Sequence, residues 1–464
     1  MKSISVRRVA LFCVFFTAAA PSHAQARTLS PEQITRIDAA AAEWLQETGA
    51  PSVSIAVVTD ATLAYTHAYG LAQLMPPRPA TVTARYAIDS ISKEFVAAAV
   101  LILAEQRRLS LDDKVARWFP DLGEASNLTL RELLTHTSGL RDYWPQDFVT
   151  EEMTHPTTTA AILREWVRRP LDFAPGTDWQ YSNTGFVLAG AIVEKASGEP
   201  LMRFLTEQIF APLRMSRVTE DDTAPLGESD ASPYTRYGLA TIRPAPKEAA
   251  GWLFAAAGLA MQPGDLALWD ISLIRRSLLQ PDSYRTQFEP VVLKDGTRKD
   301  YALGLDVEQV NGRLRIGHGG AGSGYLSDHR IWPDDKVAIV VLTNSDWTSP
   351  SDLLEQIAYV VVPRSPVEAR ADTVFSGFQS GSVDRSLFTQ GGNFFLTPQV
   401  LADLKASLAP LGPARLIELL RESRRGGMIT RRWRILCGGH RLEAIERGYP
   451  DGKLEQFMVS AASD

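Results

Sequence analysis

The chain has little cysteine and no long apolar segment beyond its first residues. It contains two cysteines in 464 residues, and Cys13 lies within an apolar run near the N-terminus. If that run is removed, Cys437 remains alone and cannot form a disulfide within the chain. After residue 26, no apolar stretch approaches the roughly 20 residues that a membrane helix needs. We therefore expect no integral membrane segment, and a fold that depends on its hydrophobic core.

Patterns typical of metal, nucleotide and nucleic-acid binding are also missing. The histidines form no HExxH and there is no CxxC, so we expect no metal site. A formal net charge of -6 gives no general attraction to nucleic acid. Gly317, Gly319 and Gly322 match GxGxxG, but a strand-like segment follows where a dinucleotide fingerprint needs a helix. No cofactor and no nucleic-acid partner are expected.

The N-terminus has the pattern of a secretory signal peptide. Lys2, Arg7 and Arg8 precede an apolar run at 9–20, and the small residues of "PSHAQA" follow. This run is too short to span a bilayer, which favours a cleaved signal over a membrane anchor. A buried helix is the alternative. The pattern predicts that residues 1–26 are removed and that the protein is periplasmic or secreted.

The body of the chain predicts an α+β fold. A hairpin at 52–58 and 63–70 comes first, a helix follows from Ser90 to about Arg108, and 109–250 mixes short helices with long loops. Strand-like segments then return and a helix closes the region, at 301–309, 313–318, 325–332, 336–343 and 351–362. Strands at both ends predict one antiparallel sheet flanked by helices, with a helical region beside it. We assign residues 27–363 to this domain.

The end of the chain predicts a linker and a small α+β domain. The linker is "RSPVEARAD" at 364–372, and the domain covers 373–464. It should contain one helix at 397–408 and three strands at 428–437, 440–448 and 453–460. Seven arginines between Arg415 and Arg434 favour a solvated face. A surface that tethers the protein to an anionic polymer or partner is the alternative. The role of this domain is not predicted.

The segment "DSISKEFVAAAV" (89–100) places a serine and a lysine three residues apart at the start of an apolar helix. Residues at this spacing share a helix face, so Ser90 and Lys93 could form a hydrogen bond. A serine hydroxyl is a weak nucleophile that needs a base. Burial could lower the pKa of a lysine from about 10.4 toward neutrality and make it that base. Since SxxK also arises by chance, the motif needs further support.

Further support for the SxxK motif comes from the segments "DWQYSNTG" (178–185) and "RIGHGGAGSGY" (315–325). Tyr181 and Asn183 are spaced to point to one side, and a phenol whose pKa is lowered by an ammonium can transfer protons. The asparagine amide can bind both a lysine and a substrate carbonyl. An ordinary polar turn is the alternative for this segment. In the second segment, the glycines allow a ligand to approach the backbone closely. There the N–H of Ala321 could face that of Ser90 and form an oxyanion hole.

The order SxxK, YxN and a basic residue before glycine resembles the serine β-lactamase and penicillin-binding-protein superfamily. The segments "LTLRELLTHTSGL", "FAPGTDWQYSN" and "GHGGAGSGY" look most like the branch of class C β-lactamases, family VIII esterases, D-alanyl-D-alanine carboxypeptidases and D-aminopeptidases. The resemblance covers about residues 30–363. The C-terminal domain looks like the small accessory domains of some members. GxSxG, the nucleophile elbow of α/β-hydrolases, is absent from the sequence.

The resemblance implies a role for each matching residue. Ser90 would be acylated, while Lys93 and Tyr181 would share the proton transfers. His318 would bond to Tyr181, and Asn183 would bind the substrate and orient the lysine. The substrate would also contact the backbone of Gly319, Gly320 and Ala321. The N–H groups of Ser90 and Ala321 would hold the oxyanion. The sequence leaves open whether Lys93 or Tyr181 is the acylation base.

Two residues depart from the family pattern. Class C β-lactamases, like most penicillin-binding proteins, have lysine at the position of His318. A histidine with a pKa near 6.5 is mostly neutral and cannot hold a substrate carboxylate as well. This predicts a serine hydrolase of esters, amides or D-amino-acid peptides, with weak β-lactamase activity. A class C-type β-lactamase, or a penicillin-binding protein that acylates without turnover, is the alternative. Asp89 stands where the family often has glycine, and we expect it to cap the helix.

Overall fold

A computed structural model describes residues 28–146 and 148–462. The predicted signal peptide, residues 1–26, lies outside the described residues. The strands of the described part run in the following order: β1 Ser52–Thr59, β2 Thr62–Gln73, β3 Arg78–Pro79, β4 Tyr86–Ala87, β5 Thr219–Glu220, β6 Tyr234–Thr235, β7 Arg243–Pro244, β8 Leu259–Met261, β9 Asp306–Val310, β10 Arg313–Gly322, β11 Tyr325–Trp332, β12 Val337–Thr343, β13 Ala414–Arg425, β14 Met428–Cys437, β15 His440–Gly448 and β16 Leu454–Ala461.

The α-helices of the same residues surround these strands. In chain order they are α1 Pro31–Thr48, α2 Ser92–Glu105, α3 Leu130–Leu134, α4 Thr159–Ile162, α5 Asn183–Ser197, α6 Leu201–Leu205, α7 Phe254–Ala257, α8 Pro263–Arg275, α9 Pro281–Gln287, α10 Pro350–Val361, α11 Pro366–Ser380, α12 Gln390–Phe395 and α13 Pro398–Leu408. A 3₁₀ turn at Asp89–Ile91 leads directly into α2. Among the described residues, no helix is both long enough and apolar enough to cross a membrane.

The main sheet has seven antiparallel strands in the order β3-β2-β1-β12-β11-β10-β9. Its two central strands, β1 and β12, are buried along their whole length, with Ile55 opposite Val341. Because side chains alternate across a strand, each central strand contributes to two cores. Ile55 and Val341 pack with the core that includes α1 and α10, while Ala56 and Val340 face the larger core with α2 and α8. The predicted α+β class and antiparallel sheet are confirmed.

Two helices of the helical region bring the SxxK and YxN motifs toward the sheet. Every residue of α2 from Ser92 to Leu103 is buried, so this helix passes through the larger core. Helix α5 begins at Asn183, because the hydroxyl of Ser182 accepts the N–H of Gly185 and caps it. Gly198, at φ 80°, ends this helix. Helix α5 therefore starts three residues before Phe186, where the apolar pattern predicts its start, and places Asn183 at its N-terminus.

The C-terminal part forms a four-stranded antiparallel sheet in the order β13-β14-β15-β16, with α11 and α13 in the same core. Residues 366–372, which the sequence assigns to a linker, instead form the first half of α11. Ser365 and Glu368 form a capping box, and Pro366 occupies the first helical position, so this segment has a strong helix start. Strand β13 was not predicted. Its second half, Arg421 to Arg425, is fully exposed and lacks an apolar alternation.

Polar contacts join the C-terminal part to the rest of the molecule. The guanidinium of Arg415 pairs with Glu43 and Glu47 on α1. The hydroxyl of Tyr359 on α10 donates to Asp372 on α11 over 2.6 Å. The division of the chain into separate domains stays a prediction.

Candidate active site

Ser90 and Lys93 lie where the 3₁₀ turn becomes α2. Lys93 is fully buried, and its Nζ donates a hydrogen bond of 2.9 Å to the Oγ of Ser90. Ser90 itself is only partly buried. The hydroxyl is therefore held beside an amine and next to the N-terminus of a fourteen-residue helix. The helix dipole at this end favours negative charge developing near Ser90.

Two further acceptors complete the surroundings of the Lys93 amine. The Oδ1 of Asn183 and the carbonyl oxygen of Ala256 each accept from Nζ over 2.8 Å. Burial lowers the pKa of Lys93 to about 7, although the carboxylates of Asp142 and Asp89 act in the opposite direction. A neutral amine keeps two N–H groups for Asn183 and Ala256. Its lone pair can then point at the Ser90 hydroxyl and accept the proton.

Tyr181 lies in the loop before α5, with the Lys93 Nζ 4.8 Å from the centre of its ring. Its hydroxyl is buried and makes no hydrogen bond of normal geometry with the described residues. The sequence suggests that the ammonium lowers the pKa of this phenol, and that expectation is wrong in direction. Burial raises the pKa of Tyr181, and the nearby Ser90 hydroxyl only partly offsets this. Tyr181 is thus a neutral phenol that can donate a proton near Ser90.

Asn183 connects the lysine to a carboxylate that the sequence analysis missed. Its Oδ1 faces Lys93, and its Nδ2 donates to Asp142 over 3.0 Å. These contacts fix the orientation of the amide, as expected from its proposed role in orienting the lysine. Burial raises the pKa of Asp142. A single aspartate after "HTSGLR" carries no signal that would distinguish it from a loop residue.

The family resemblance implies a hydrogen bond between His318 and Tyr181. The structure does not show this bond. The centres of the two rings are 6.2 Å apart, and the Nε2 of His318 instead lies 3.1 Å from the hydroxyl of Tyr301. Burial lowers the pKa of His318, which keeps the ring neutral near pH 7. The reason for the difference is the position of Tyr301, which the sequence analysis did not single out.

The segment Gly319-Gly320-Ala321 lies at the open side of β10. Strand β9 pairs with β10 only as far as Gly317, so beyond that point β10 pairs with β11 alone. A Cβ at Gly320 would lie 2.1 Å from the carbonyl oxygen of Ile88, just before the Ser90 turn. The absence of this Cβ allows the strand to pack against the turn. Ala321 is exposed beside this contact.

Asp89 does not cap a helix, and the expectation that it would is wrong. The 3₁₀ turn has no side-chain cap, and Asp89 itself has a positive φ of 46°. Its carboxyl is buried, and Oδ2 has no hydrogen-bond partner among the described residues. Burial, with the charges of Glu248 and Asp221, raises its pKa well above the usual value. The raised pKa reduces the negative charge that this carboxyl adds beside Lys93.

Comparison with known proteins gives the same assignment as the geometry. A family model described as Beta-lactamase matches residues 37–361. The chain belongs to this family. The predicted resemblance to the serine β-lactamase and penicillin-binding-protein superfamily is thereby confirmed.

Two curated relatives each match 70% of this chain. The D-aminopeptidase of Brucella canis is 29% identical over 337 residues, which cover 70% of this chain and 63% of that protein. The chain therefore matches less than two thirds of the length of that D-aminopeptidase. A penicillin-binding protein of Bacillus subtilis is 27% identical over 354 residues, covering 70% of this chain and 77% of that protein.

Solved structures show the same fold. A penicillin-binding protein homologue from Pyrococcus abyssi superposes with a TM-score of 0.62 at 20% identity, covering 92% of this chain and 100% of that one. The D-amino acid amidase from Ochrobactrum anthropi superposes with a TM-score of 0.62 at 22% identity, covering 71% of this chain and 98% of that one. The first match extends past the family region, so its fold also covers much of the C-terminal part.

Proposed function

We propose that the protein is a serine hydrolase that forms an acyl-enzyme on Ser90. The observation that carries this proposal is the contact between Ser90 and a fully buried lysine. The Nζ of Lys93 lies 2.9 Å from the Oγ, and its pKa is lowered to about 7. An amine that is half neutral at pH 7 is well matched to take a proton in a general-base step.

In the proposed first step, the Ser90 proton passes to Lys93 while Oγ bonds to the substrate carbonyl carbon. The carbonyl oxygen becomes an anion, which the N–H groups of Ser90 and Ala321 would hold. The bond to the leaving amine or alkoxide then breaks, and the leaving group takes a proton from Lys93, directly or through Tyr181. The raised pKa keeps Tyr181 protonated, so it can relay a proton in this step but is not available as the base. We therefore assign the base to Lys93.

In the second step, water attacks the acyl carbonyl with Lys93 again taking its proton. The ester bond to Ser90 breaks, and Oγ recovers a proton from the lysine. The product acid leaves with the hydroxyl of that water. The Oδ1 of Asn183 accepts from Nζ and would hold the lysine in place through both steps, and the remaining N–H of the Asn183 amide could bind the substrate.

We propose an amide, ester or D-amino-acid peptide as the substrate. His318 is neutral because burial lowers its pKa, so it adds no positive charge to the site. The charged groups that most affect Tyr181 are the carboxylates of Asp142, Asp306 and Asp89. These surroundings oppose binding of a substrate carboxylate. The name of the 29% identical relative, D-aminopeptidase, supports an acyl group from a D-amino acid. β-Lactam hydrolysis would then be weak.

A hydrolysis panel tests this proposal. The wild type and Ser90→Ala would be assayed on D-alanine and L-alanine p-nitroanilide, a short-chain p-nitrophenyl ester and a chromogenic cephalosporin. We expect turnover of the D-anilide or the ester that the variant loses, with little cephalosporin hydrolysis. Equal rates in both proteins would contradict the role of Ser90. Fast cephalosporin turnover would favour a β-lactamase instead.

A non-turning-over penicillin-binding protein is the second candidate, favoured by the 27% identical penicillin-binding relative. Intact-protein mass spectrometry separates it from a hydrolase. A penicillin adduct on Ser90 that persists for hours, without product release from any substrate of the panel, would identify such a protein. An adduct that decays as product accumulates would support turnover.

We also propose that the chain is exported and then carries two units. Residues 1–26 would be the cleaved signal, residues 27–363 the catalytic unit and residues 373–464 the accessory unit, with the connection shortened by α11. N-terminal sequencing of the protein recovered from the periplasm or medium tests the signal. Limited proteolysis tests the boundary, and cleavage near 362–365 is expected. Comparing localisation with and without the accessory unit tests whether its arginines tether the protein.

A further inference from the structure

A chain of hydrogen bonds joins the loop that carries Tyr181 to the strand that carries Ala321. The backbone N–H of Ser182 donates to the Nδ1 of His136 over 3.1 Å. The Nε2 of His136 lies 3.2 Å from the Tyr301 hydroxyl, which lies 3.1 Å from the Nε2 of His318. Finally, the Nδ1 of His318 lies 2.5 Å from the carbonyl oxygen of Gly319.

The two backbone groups at the ends fix the direction of this chain. An N–H can only donate, so the Nδ1 of His136 accepts, and a neutral ring then carries its proton on Nε2. A carbonyl oxygen can only accept, so the Nδ1 of His318 carries the proton of that ring. The Tyr301 hydroxyl therefore accepts from His136 and donates to His318. Both rings are buried, which lowers both pKa values and keeps both rings neutral near pH 7.

We propose that Tyr301 is a positioning residue that donates to the Nε2 of His318, supports the Nδ1–H tautomer that the Gly319 carbonyl requires, and thereby aligns the two halves of the site. One half is the loop with Tyr181 and Ser182, which leads into α5. The other half is the β10 segment from His318 to Ala321. The ring of His136 also packs on that of Tyr181, with the ring centres 4.2 Å apart. The consequences for catalysis rest on the function proposed above, whereas the tautomers do not.

This arrangement gives His318 a different task from an acid or base. Its Nε2 lone pair is occupied by the Tyr301 hydroxyl, and its Nδ1 proton is occupied by Gly319. No atom of the ring is free to exchange a proton with Tyr181. The ring instead connects a tyrosine under the site to the backbone that would bind the substrate. Loss of the Tyr301 hydroxyl should therefore misplace groups rather than remove a proton donor from the reaction.

The test reads the tautomers directly by two-bond ¹H–¹⁵N NMR on full-length protein with ¹⁵N-labelled histidine. We expect His318 to be neutral at pH 7 with its proton on Nδ1, and His136 neutral with its proton on Nε2. The Nδ1–H form is the less common one for a free histidine side chain, so a structural ring without these contacts would not show it. A proton on the Nε2 of His318 in the wild type would overturn the proposal.

The matched variants are Tyr301→Phe and, as a control, Tyr284→Phe at another buried tyrosine whose hydroxyl bonds to the backbone. With Tyr301→Phe we expect the Nε2 signal of His318 to shift because this nitrogen loses its donor, while the proton stays on Nδ1 beside Gly319. We also expect a kcat loss of about 10- to 100-fold with little change in KM, as for misplaced catalytic groups. Unchanged His318 signals, or an unchanged kcat, would overturn it. If Ser90→Ala keeps full activity while the tautomers are as expected, the proposed function fails and the tautomer assignment stands.

Discussion

The Nζ of Lys93 and the Oγ of Ser90 lie 2.9 Å apart, at a point where the lysine side chain has no exposure to solvent. Burial makes the ammonium form costly, so the lysine releases its proton near neutral pH. Three acceptors hold the amine in one place. This pair therefore combines a nucleophile with a base whose protonation depends on pH in the ordinary working range.

Activity should depend on pH through Lys93. Its pKa is lowered to about 7, and only the neutral amine can accept the Ser90 proton, so kcat/KM should fall as the pH drops below about 7. A pH–rate profile from pH 5.5 to 9 on the best substrate of the panel measures this. A flat profile between pH 6 and 8 would rule out Lys93 as the group that limits the rate. Lys93→Ala should lower kcat by about 10³-fold or more.

Removing the charge of Asp142 should move that profile. This carboxylate raises the pKa of Lys93 and accepts a hydrogen bond from the Nδ2 of Asn183. In Asp142→Asn the amide keeps an acceptor for Asn183 but loses the charge, so the acid limb should shift to lower pH. At pH 8 we expect kcat to change by less than about tenfold. The control is Asp282→Asn at an exposed carboxylate. A shift to higher pH would show that the charge acts elsewhere.

A cation at position 318 should change the substrate preference. His318 is neutral at pH 7 because it is buried, so His318→Lys would introduce a positive charge that can hold a substrate carboxylate. We expect the ratio of kcat/KM for a cephalosporin to that for an ester to rise at least about tenfold, near 1.4 kcal/mol. The measurement compares both substrates in both proteins. An unchanged ratio would remove the charge argument from the proposed specificity.

A buried ion network behind the site should control stability. His329 bonds through Nε2 to Glu94 over 2.6 Å and through Nδ1 to Asp270 over 2.8 Å, with all three side chains fully buried. We expect His329→Gln to lower the free energy of unfolding by about 3–5 kcal/mol at pH 6.5, because it breaks buried pairs. Urea unfolding measures this, and His440→Gln at an exposed position is the control. A loss under about 1 kcal/mol would contradict it.

The same network predicts how that stability difference varies with pH. Although burial opposes the charged ring, the two carboxylates outweigh it and raise the pKa of His329 to about 10. A raised pKa means that the folded state binds the proton more tightly than the unfolded state. The contribution is therefore complete below the unfolded value near 6.5 and is lost as the pH rises toward 10. The difference between wild type and His329→Gln should shrink between pH 7 and 9.5. A constant or growing difference would show an uncharged ring.

Much of the site could be predicted because short spacings fix local geometry. Ser90 and Lys93 are three residues apart on one helical segment, so their contact follows from the helix alone. The family resemblance implies that Asn183 orients Lys93, and the structure adds that the two residues lie at the N-terminal ends of α5 and α2. Tyr301 and His136 come from distant segments with no shared pattern. Only packing brings Tyr301 and His136 into contact. The sequence therefore could not show that His318 bonds to Tyr301 instead of Tyr181.

The fold was predicted best where one side of an element is apolar. Strands β11 and β12 and helix α10 match their predicted bounds to within a residue, because their buried faces give a clear periodicity. Strand β13 gave no such signal, since its second half is exposed and rich in arginine. The segment 366–372 looked like a linker because it is polar. Its capping box makes it helical, and Ala371 then packs in the C-terminal core.

The contact between Gly322 and Asp89 links the changes that these two positions can accept. A Cβ at Gly322 would lie 2.1 Å from the Oδ1 of Asp89, so a side chain at 322 requires the Asp89 carboxyl to move or a smaller residue at 89. In a chain with glycine at 89, alanine at 322 would meet no carboxyl. In this chain the same alanine would push a buried carboxyl against the Ser90 turn. Whether position 322 tolerates a side chain thus depends on the residue at position 89, and a change at 89 to glycine makes the change at 322 easier.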